Sequence, residues 1–220
     1  MNKALILANG LHPSVSVIRY LQKNGYRTLV CADGGGNSAY QLGINPDLII
    51  GDFDSINHDV LKYYENKSRI IKINRQNDTD VEKCLKYLIQ KKYSEVILLG
   101  ATGDRLDHSF CNLGIVLKFY DKIRINILHQ KSYLQCFSGK VILTSVKNEI
   151  ISLYGFDDKT KISSKGLKYP LDRVSLPFGK KESTSNVSMS DKVELKITGG
   201  KIFVIRDFKT LRKNGFFQQS

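Results

Sequence analysis

The chain has no tryptophan, and its four cysteines, Cys31, Cys84, Cys111 and Cys136, are scattered without a CxxC pair. That spacing excludes a disulfide framework and a cysteine-ligated zinc site. Three of the four sit in apolar patterns, which predicts buried free thiols and a reducing, cytoplasmic location. No apolar run approaches the ~20 residues that a membrane-spanning helix needs. The N-terminal run "ALILAN" stops at Asn9-Gly10, too short for the core of a signal peptide. A Gly-Lys-Ser/Thr phosphate loop is missing, so the chain is not a P-loop kinase. His12, His58 and His129 lack metal-ligand spacing and read as surface or structural residues.

Charge is plentiful, with 34 Lys+Arg against 21 Asp+Glu and a formal net charge of +13. The basic residues are dispersed; the densest groups are "QKK" at 90–92 and "GKK" at 179–181. No basic stripe interleaves with aromatics, so the reading is a solvated surface and no nucleic-acid partner. Such a field still favours anionic small molecules such as nucleotides.

At 220 residues and 41% hydrophobic, the chain is long enough for one large core or two small domains. The first ~130 residues alternate strand and helix patterns. "ALILAN", "TLVCAD", "DLIIGDF", "RIIKIN", "EVILLGAT" and "RINILH" are near-continuous apolar runs, as expected of parallel strands buried on both faces. Four helix patterns lie between them. One starts near Pro13, one has Ser55 as its expected N-cap, and one spans "DHSFCNLGIVLKFYDK". The clearest is "TDVEKCLKYLIQKK", where Val81, Cys84, Leu85, Leu88 and Ile89 keep the 3.6-residue period and Thr79 with Glu82 forms a capping box. The fold class is therefore α/β, a doubly wound, mostly parallel sheet with flanking helices over residues 1–130. Past Gln130–Leu134 come short strand runs between turn residues, predicting an all-β sandwich over 131–220. "KVELKITGGKIFVIRDF" reads as a hairpin about Gly199-Gly200, with Val193, Leu195, Ile197, Ile202, Val204 and Phe208 alternating. The tail is expected to be disordered unless Phe216-Phe217 docks.

Ligands of an open parallel sheet bind beyond the carboxyl ends of its strands. Here four successive strand ends carry acid: Asp33, then Asp52 and Asp54, then Asp78 and Asp80, then Asp104 and Asp107 beside Arg105 and His108. Each has a bland alternative: Asp80 in the first turn of a helix, Asp107 as a cap, Asp33 as a turn residue. Gathered at one edge they repel, and a hard divalent cation such as Mg²⁺, bound by carboxylates and phosphate oxygens, relieves that. Arg105 suits a bidentate phosphate contact. Gly34–Gly36, Gly100 and Gly103 let backbone amides approach an anion. Together these describe a phosphoryl-transfer site. "GGGNSA" also fits a dinucleotide fingerprint, but three adjacent glycines meet that pattern easily.

"CADGGGN", "PDLIIGDFDS", "NDTDVEK" and "GATGDRLDH", in that order, resemble the motif set of the thiamine pyrophosphokinase family, and "STSN" at 183–186 resembles its C-terminal Ser-Asn signature. The resemblance runs over roughly residues 4–206. It implies a Mg²⁺-dependent transfer of pyrophosphate from ATP to the hydroxyl of thiamine, giving thiamine diphosphate and AMP. It also implies an ATP- and Mg-binding α/β domain, a β-sandwich that binds thiamine and dimerises, and a homodimer with active sites at the subunit interface. Asp52, Asp54 and Asp80 match the catalytic and metal-binding acids, with Asp54 or Asp80 able to take the hydroxyl proton. Asp33, Gly34, Gly35, Arg105, Asp107 and His108 fall on the ATP side. Gln76, Ser185 and Asn186 fall on the thiamine side. Some members stack the thiamine pyrimidine on tryptophan. Phe203 lies near that position and is either its substitute or core. The alternatives from other classes are a non-catalytic nucleotide- or dinucleotide-binding regulator and, from charge alone, a nucleic-acid binder.

Overall fold

The computed structural model describes residues 2–74 and 77–218. The chain divides into two compact units, the first ending at Gln130 and the second starting at Lys131.

In the first unit strands and helices alternate: β1 (Asn2–Leu7), α1 (Val15–Lys23), β2 (Thr28–Ala32), α2 (Gly35–Gln41), β3 (Leu48–Gly51), α3 (His58–Tyr64), β4 (Arg69–Lys72), α4 (Asp80–Gln90), β5 (Tyr93–Leu99), α5 (Leu106–Lys118) and β6 (Arg124–His129). The strand order is β6-β5-β1-β2-β3-β4, and every neighbouring pair is parallel. The chain winds outward from β1 through β2, β3 and β4, then returns to β1's other side as β5 and β6. The switch point is at β1, where Leu5 lies beside Leu29 and Ile97. Leu5–Leu7, Val30, Cys31, Ile49, Ile50 and Ile97–Leu99 are sealed from water. Burial of each such aliphatic side chain contributes about 1.5–3 kcal/mol, which is why the runs form the central strands. β4, at the edge, keeps Arg69 and Lys72 exposed, which discourages further strand pairing.

Three helix starts set the site. α4 has the expected capping box: Thr79 Oγ1 accepts from the Glu82 amide at 3.3 Å, and Glu82 Oε2 accepts from the Thr79 amide at 3.1 Å. α3 departs from expectation. Its N-cap is Asn57 rather than Ser55, because the Ser55 amide and hydroxyl are engaged by Asp33 and Asp54. α2 is a helix that the glycine-rich pattern concealed. It is possible there because a Cβ on Gly35 would lie 2.0 Å from the Leu7 carbonyl oxygen, so only glycine lets the helix start this close to β1.

The second unit contains β7 (Ser132–Thr144), β8 (Ile150–Tyr154), β9 (Lys161–Lys165), β10 (Ser183–Val187), β11 (Lys192–Asp207) and α6 (Phe208–Lys213). The expected hairpin at Gly199-Gly200 is instead one continuous strand, β11, antiparallel to β7 along its whole length. The register shifts between Ile197, opposite Gly139, and Ile202, opposite Phe137. The two glycines make a bulge and not a turn. Gly199 has φ +83°, and a Cβ on Gly200 would lie 2.1 Å from Thr160 Oγ1. Before the bulge β11 also pairs with β9, and after it with β8, which pairs with β10. Both halves feed one apolar core: Val193, Leu195 and Ile197 from the first, Ile202 and Val204 from the second. Phe208 starts α6 rather than continuing the strand. The tail docks, with buried Phe217 edge-on to Tyr133 at 5.3 Å between centroids. Of the cysteines, Cys31 and Cys84 are buried, Cys136 is half-buried and Cys111 is exposed, so two rather than three are sealed.

Candidate active site

The turn after β3 is shaped by Asp33, at the end of β2. Asp33 is 1% exposed, and its carboxylate accepts from the amides of Phe53 (2.6 Å), Ile56 (2.8 Å) and Ser55 (3.2 Å). Asp33 and Phe53 both take left-handed backbone angles, φ +40° and +70°, a conformation that non-glycine residues hold only when their surroundings demand it. Burial pushes the Asp33 pKa up, and the charge of Asp80 adds to that against the opposing amides, leaving it above the ordinary carboxylate value. Asp33 thus holds the loop bearing Asp52 and Asp54. The oxygens of Asp33 are engaged by these amides, and Asp33 is not among the residues lining the cavity described below.

Carboxylate oxygens of Asp33, Asp52 and Asp80 lie within 4.8 Å of one another. Between two of them sits a residue absent from the candidates above. Lys83, 3% exposed, donates from Nζ to Asp52 Oδ2 and to Asp80 Oδ1, each at 2.8 Å. Lys83 follows Asp80 by three residues on α4, so both side chains share a face. That spacing within "NDTDVEK" was the available signal. Burial opposes the charged lysine, but the hydrogen bonds to Asp52 and Asp80 outweigh it and its pKa stands above the usual value. Bonding to Lys83, against burial, holds Asp52 below its usual value. Asp52 Oδ1 is buried and has no hydrogen-bond partner among the described residues. Asp54 is not part of this group. It is exposed on the neighbouring cavity wall, with Oδ1 accepting from Ser55 Oγ at 2.8 Å.

The cavity beside these acids measures about 440 Å³, within the usual range for small-molecule sites. It lies over the ends of β1, β2 and β5, at the switch point, where strand topology puts ligands. Asn9, Gly34, Asp80, Thr102, Arg105 and His108 are among its lining residues. The loop after β5 is pinned before any ligand arrives. The Gly10 amide donates to the Gly100 carbonyl (2.7 Å), the Leu11 amide to that of Thr102 (3.1 Å), and Asn112 Nδ2 to that of Ala101 (2.7 Å). Arg105 faces the cavity but is paired with Asp107 at 2.5 Å, both well exposed. Gly34 reaches the cavity wall, whereas Gly35 is turned to the backbone of β1.

Residues 19–128 match "Thiamin pyrophosphokinase, catalytic domain" and residues 140–202 match "Thiamin pyrophosphokinase, vitamin B1 binding domain". The chain belongs to the thiamin pyrophosphokinase family. Thiamine pyrophosphokinase 1 of Oryza sativa subsp. japonica is 27% identical over 198 residues, 77% of this chain and 75% of that protein. Thiamine pyrophosphokinase of Bacillus subtilis (strain 168) is 25% identical over 180 residues, 79% of this chain and 84% of that protein. The solved thiamine pyrophosphokinase structure from Bacillus subtilis superposes with a TM-score of 0.81 at 23% identity, covering 94% of this chain and 99% of the other. That of Candida albicans gives 0.81 at 20% identity, covering 94% and 88%. These two likenesses bear on the fold.

The pyrophosphokinase residues expected on the thiamine side lie in the second unit, except Gln76, which lies outside the described residues. Asn186 is 1% exposed and its amide is used internally. Nδ2 donates to the Tyr169 carbonyl (2.7 Å) and Ser183 Oγ (3.1 Å), while Oδ1 accepts from the amides of Tyr169 (3.1 Å) and Val187 (2.9 Å). Ser185 is exposed with φ +55°, and its amide donates to Ser152 Oγ at 3.0 Å. Phe203 is 5% exposed and meets Phe156 edge-on at 4.8 Å, the packing of a core ring.

Proposed function

We propose that the protein transfers the pyrophosphoryl group of ATP to the hydroxyl of thiamine, yielding thiamine diphosphate and AMP. The carrying observation is the coincidence of the two domain matches with a carboxylate cluster beside a 440 Å³ cavity at the switch point. A non-catalytic nucleotide-binding regulator is not favoured, since it gives no reason for the gathered acids.

The fit to Mg²⁺ rests on donor chemistry. All the donors are hard oxygens, three carboxylates converge, and Asp52 Oδ1 is buried without a partner among the described residues. Asp52 and Asp80 would hold the ion, with Asp33 behind them and Asp54 at the cavity wall. When bound, Mg²⁺ neutralises charge developing on the transferring phosphate oxygens. The protein's own residues do the rest. Arg105 exchanges its exposed pairing with Asp107 for a phosphate contact, because a solvent-screened pair is weak and yields readily. Residues of the pinned loop after β5 line the cavity, so a phosphate arriving there meets backbone that needs little reorganisation. The thiamine oxygen forms its bond to the β-phosphorus as the bond from that phosphorus to the α,β-bridging oxygen breaks, and the bridging oxygen leaves on AMP. The hydroxyl proton goes to a carboxylate. Asp54 suits this role better than Asp80, because it is exposed on the cavity wall and its Oδ1 accepts only a neutral hydroxyl, from Ser55, whereas an oxygen of Asp80 is tied to the Lys83 ammonium. Ser185, Asn186 and Phe203 enter as supports of the thiamine subsite, Asn186 by fixing the backbone about Tyr169.

The family resemblance also carries a homodimer and a cytoplasmic location. Light scattering of the purified protein tests the first; among the described residues no helix is long and apolar enough to cross a membrane. The activity itself is tested by incubating protein, thiamine, ATP and Mg²⁺ and separating the nucleotides by anion exchange. AMP and thiamine diphosphate are expected in equal amounts. ADP as product, or no thiamine diphosphate, overturns the proposal.

A further inference from the structure

Lys83 does something in this site that its acids cannot do for themselves. The group comprises three carboxylates, Asp33, Asp52 and Asp80, and one buried ammonium that bonds two of them at 2.8 Å. The ammonium bonds one oxygen on each of two acids that a divalent cation would also use. A bare cation entering the cluster therefore meets a fixed positive charge a few ångströms away, in surroundings where screening is weak. A cation that arrives carrying a triphosphate meets a different balance. The complex is anionic, and without Lys83 its phosphates would face three uncompensated acids.

We propose that Lys83 is a positioning residue that biases the acid cluster against free divalent metal and toward metal delivered on a nucleotide. This deepens the reading of the cluster as a Mg²⁺-nucleotide site and rests on it. Lys83 holds Asp52 and Asp80 in place while the cavity is empty, leaving Asp52 Oδ1 as the open donor. It also lowers the net negative charge that incoming phosphates encounter. Its buried position, 3% exposed, makes it a fixed element of the pocket rather than a mobile phosphate ligand.

The test uses Mn²⁺ as the probe with Lys83→Met in the full-length chain, following unbound Mn²⁺ by electron paramagnetic resonance without nucleotide, then measuring Mn·ATP binding by calorimetry. The expected result is bare-Mn²⁺ affinity raised about tenfold, within the common range of coupling between sites, and Mn·ATP affinity lowered. A merely structural lysine predicts the opposite sign for bare metal, because a loosened site binds it more weakly. Unchanged or weaker Mn²⁺ binding by Lys83→Met overturns the proposal. If the variant folds only when Mn²⁺ is supplied, the electrostatic account holds; if it fails to fold with and without the metal, the account is overturned. The AMP assay on the unsubstituted protein is independent of these readings, so the failure of the activity and the failure of this role are distinguishable.

Discussion

Lys83 and Arg206 are both cations whose side chains are only 2% exposed, one in each unit, and their surroundings differ in a way that separates support from chemistry. Among the described residues Arg206 pairs with one carboxylate. Its Nε and Nη2 meet Glu149 Oε1 and Oε2 at 2.7 and 2.9 Å, and Nη2 also donates to the Thr144 carbonyl at 2.6 Å. Charge is balanced, and the fork of the guanidinium matches the carboxylate. Lys83 instead has two carboxylate partners and a third nearby, beside a 440 Å³ cavity. Its cluster carries surplus negative charge, and that is what separates the two sides, since each has a buried atom without a partner among the described residues, Asp52 Oδ1 in one and Arg206 Nη1 in the other. A balanced buried pair completes a fold, whereas an unbalanced one next to a cavity is complete only with a further cation or ligand.

The largest effect expected from breaking this contrast lies on the Arg206 side. Glu149→Leu leaves an uncompensated buried guanidinium and should destabilise the protein by about 3–5 kcal/mol. The double variant Glu149→Leu/Arg206→Met should recover most of that, since apolar replacement of a whole buried pair is commonly close to neutral. Urea unfolding of the three proteins checks both statements. A double variant as unstable as the single one would mean that the pair contributes through more than charge balance.

On the Lys83 side the same loss of one acid should appear in catalysis. Asp80→Asn removes a charge that the cluster holds in surplus, so Lys83 keeps Asp52 as its counter-ion and the fold persists. Turnover should fall by about 10²–10³, the loss typical of removing one preorganised electrostatic group. AMP release under saturating Mg²⁺ and ATP, with circular dichroism on the same sample, reads both. Near-unchanged turnover would remove Asp80 from the site.

A smaller effect tests how the helix start serves the cluster. Thr79 caps α4 immediately before Asp80, the first residue of that helix. Thr79→Ala should cost about 1 kcal/mol of stability. Because Asp80 sits on the freed turn, kcat should fall while KM for thiamine stays nearly constant. A lower melting temperature with unaltered kcat would show that the capping box serves only the fold.

The parallel sheet was legible because each buried strand is its own apolar run, and the capping box because its partners are three residues apart. The acids were legible because strand ends announce themselves with Asp and Gly. What escaped depends on partners distant in sequence. Asp33 takes up amides from Phe53, Ser55 and Ile56, at least twenty residues away, so its bracing of that loop does not show in the local motif. Asn186 read as a ligand contact, although the backbone about Tyr169 engages its amide. Gly199-Gly200 read as a turn because positive φ serves turns and bulges alike. Only the partner strand β7, running unbroken through Gly139, distinguishes the two. Lys83 lay within a quoted motif, but burial of a lysine is unusual, and spacing alone does not reveal it.

The gentlest probe of the contrast uses the thiols. Cys31 and Cys84 are sealed in the first unit, and burial pushes both thiol pKa values up, so neither offers thiolate near neutral pH. Cys111, on α5, is exposed and lines the cavity, and Cys136, in the second unit, is half-buried. A disulfide reagent at pH 8 should therefore count one fast thiol and one slow thiol in the native protein, with two more only on unfolding. Saturating ATP with Mg²⁺ should slow the fast thiol and leave the slow one unchanged, because only Cys111 borders the proposed nucleotide site. Mass mapping of the labelled peptides assigns each rate. If nucleotide leaves Cys111 as reactive as before, the phosphates and base lie away from the α5 wall of the cavity. The site would then have to be drawn nearer to Asp54 and the end of β3.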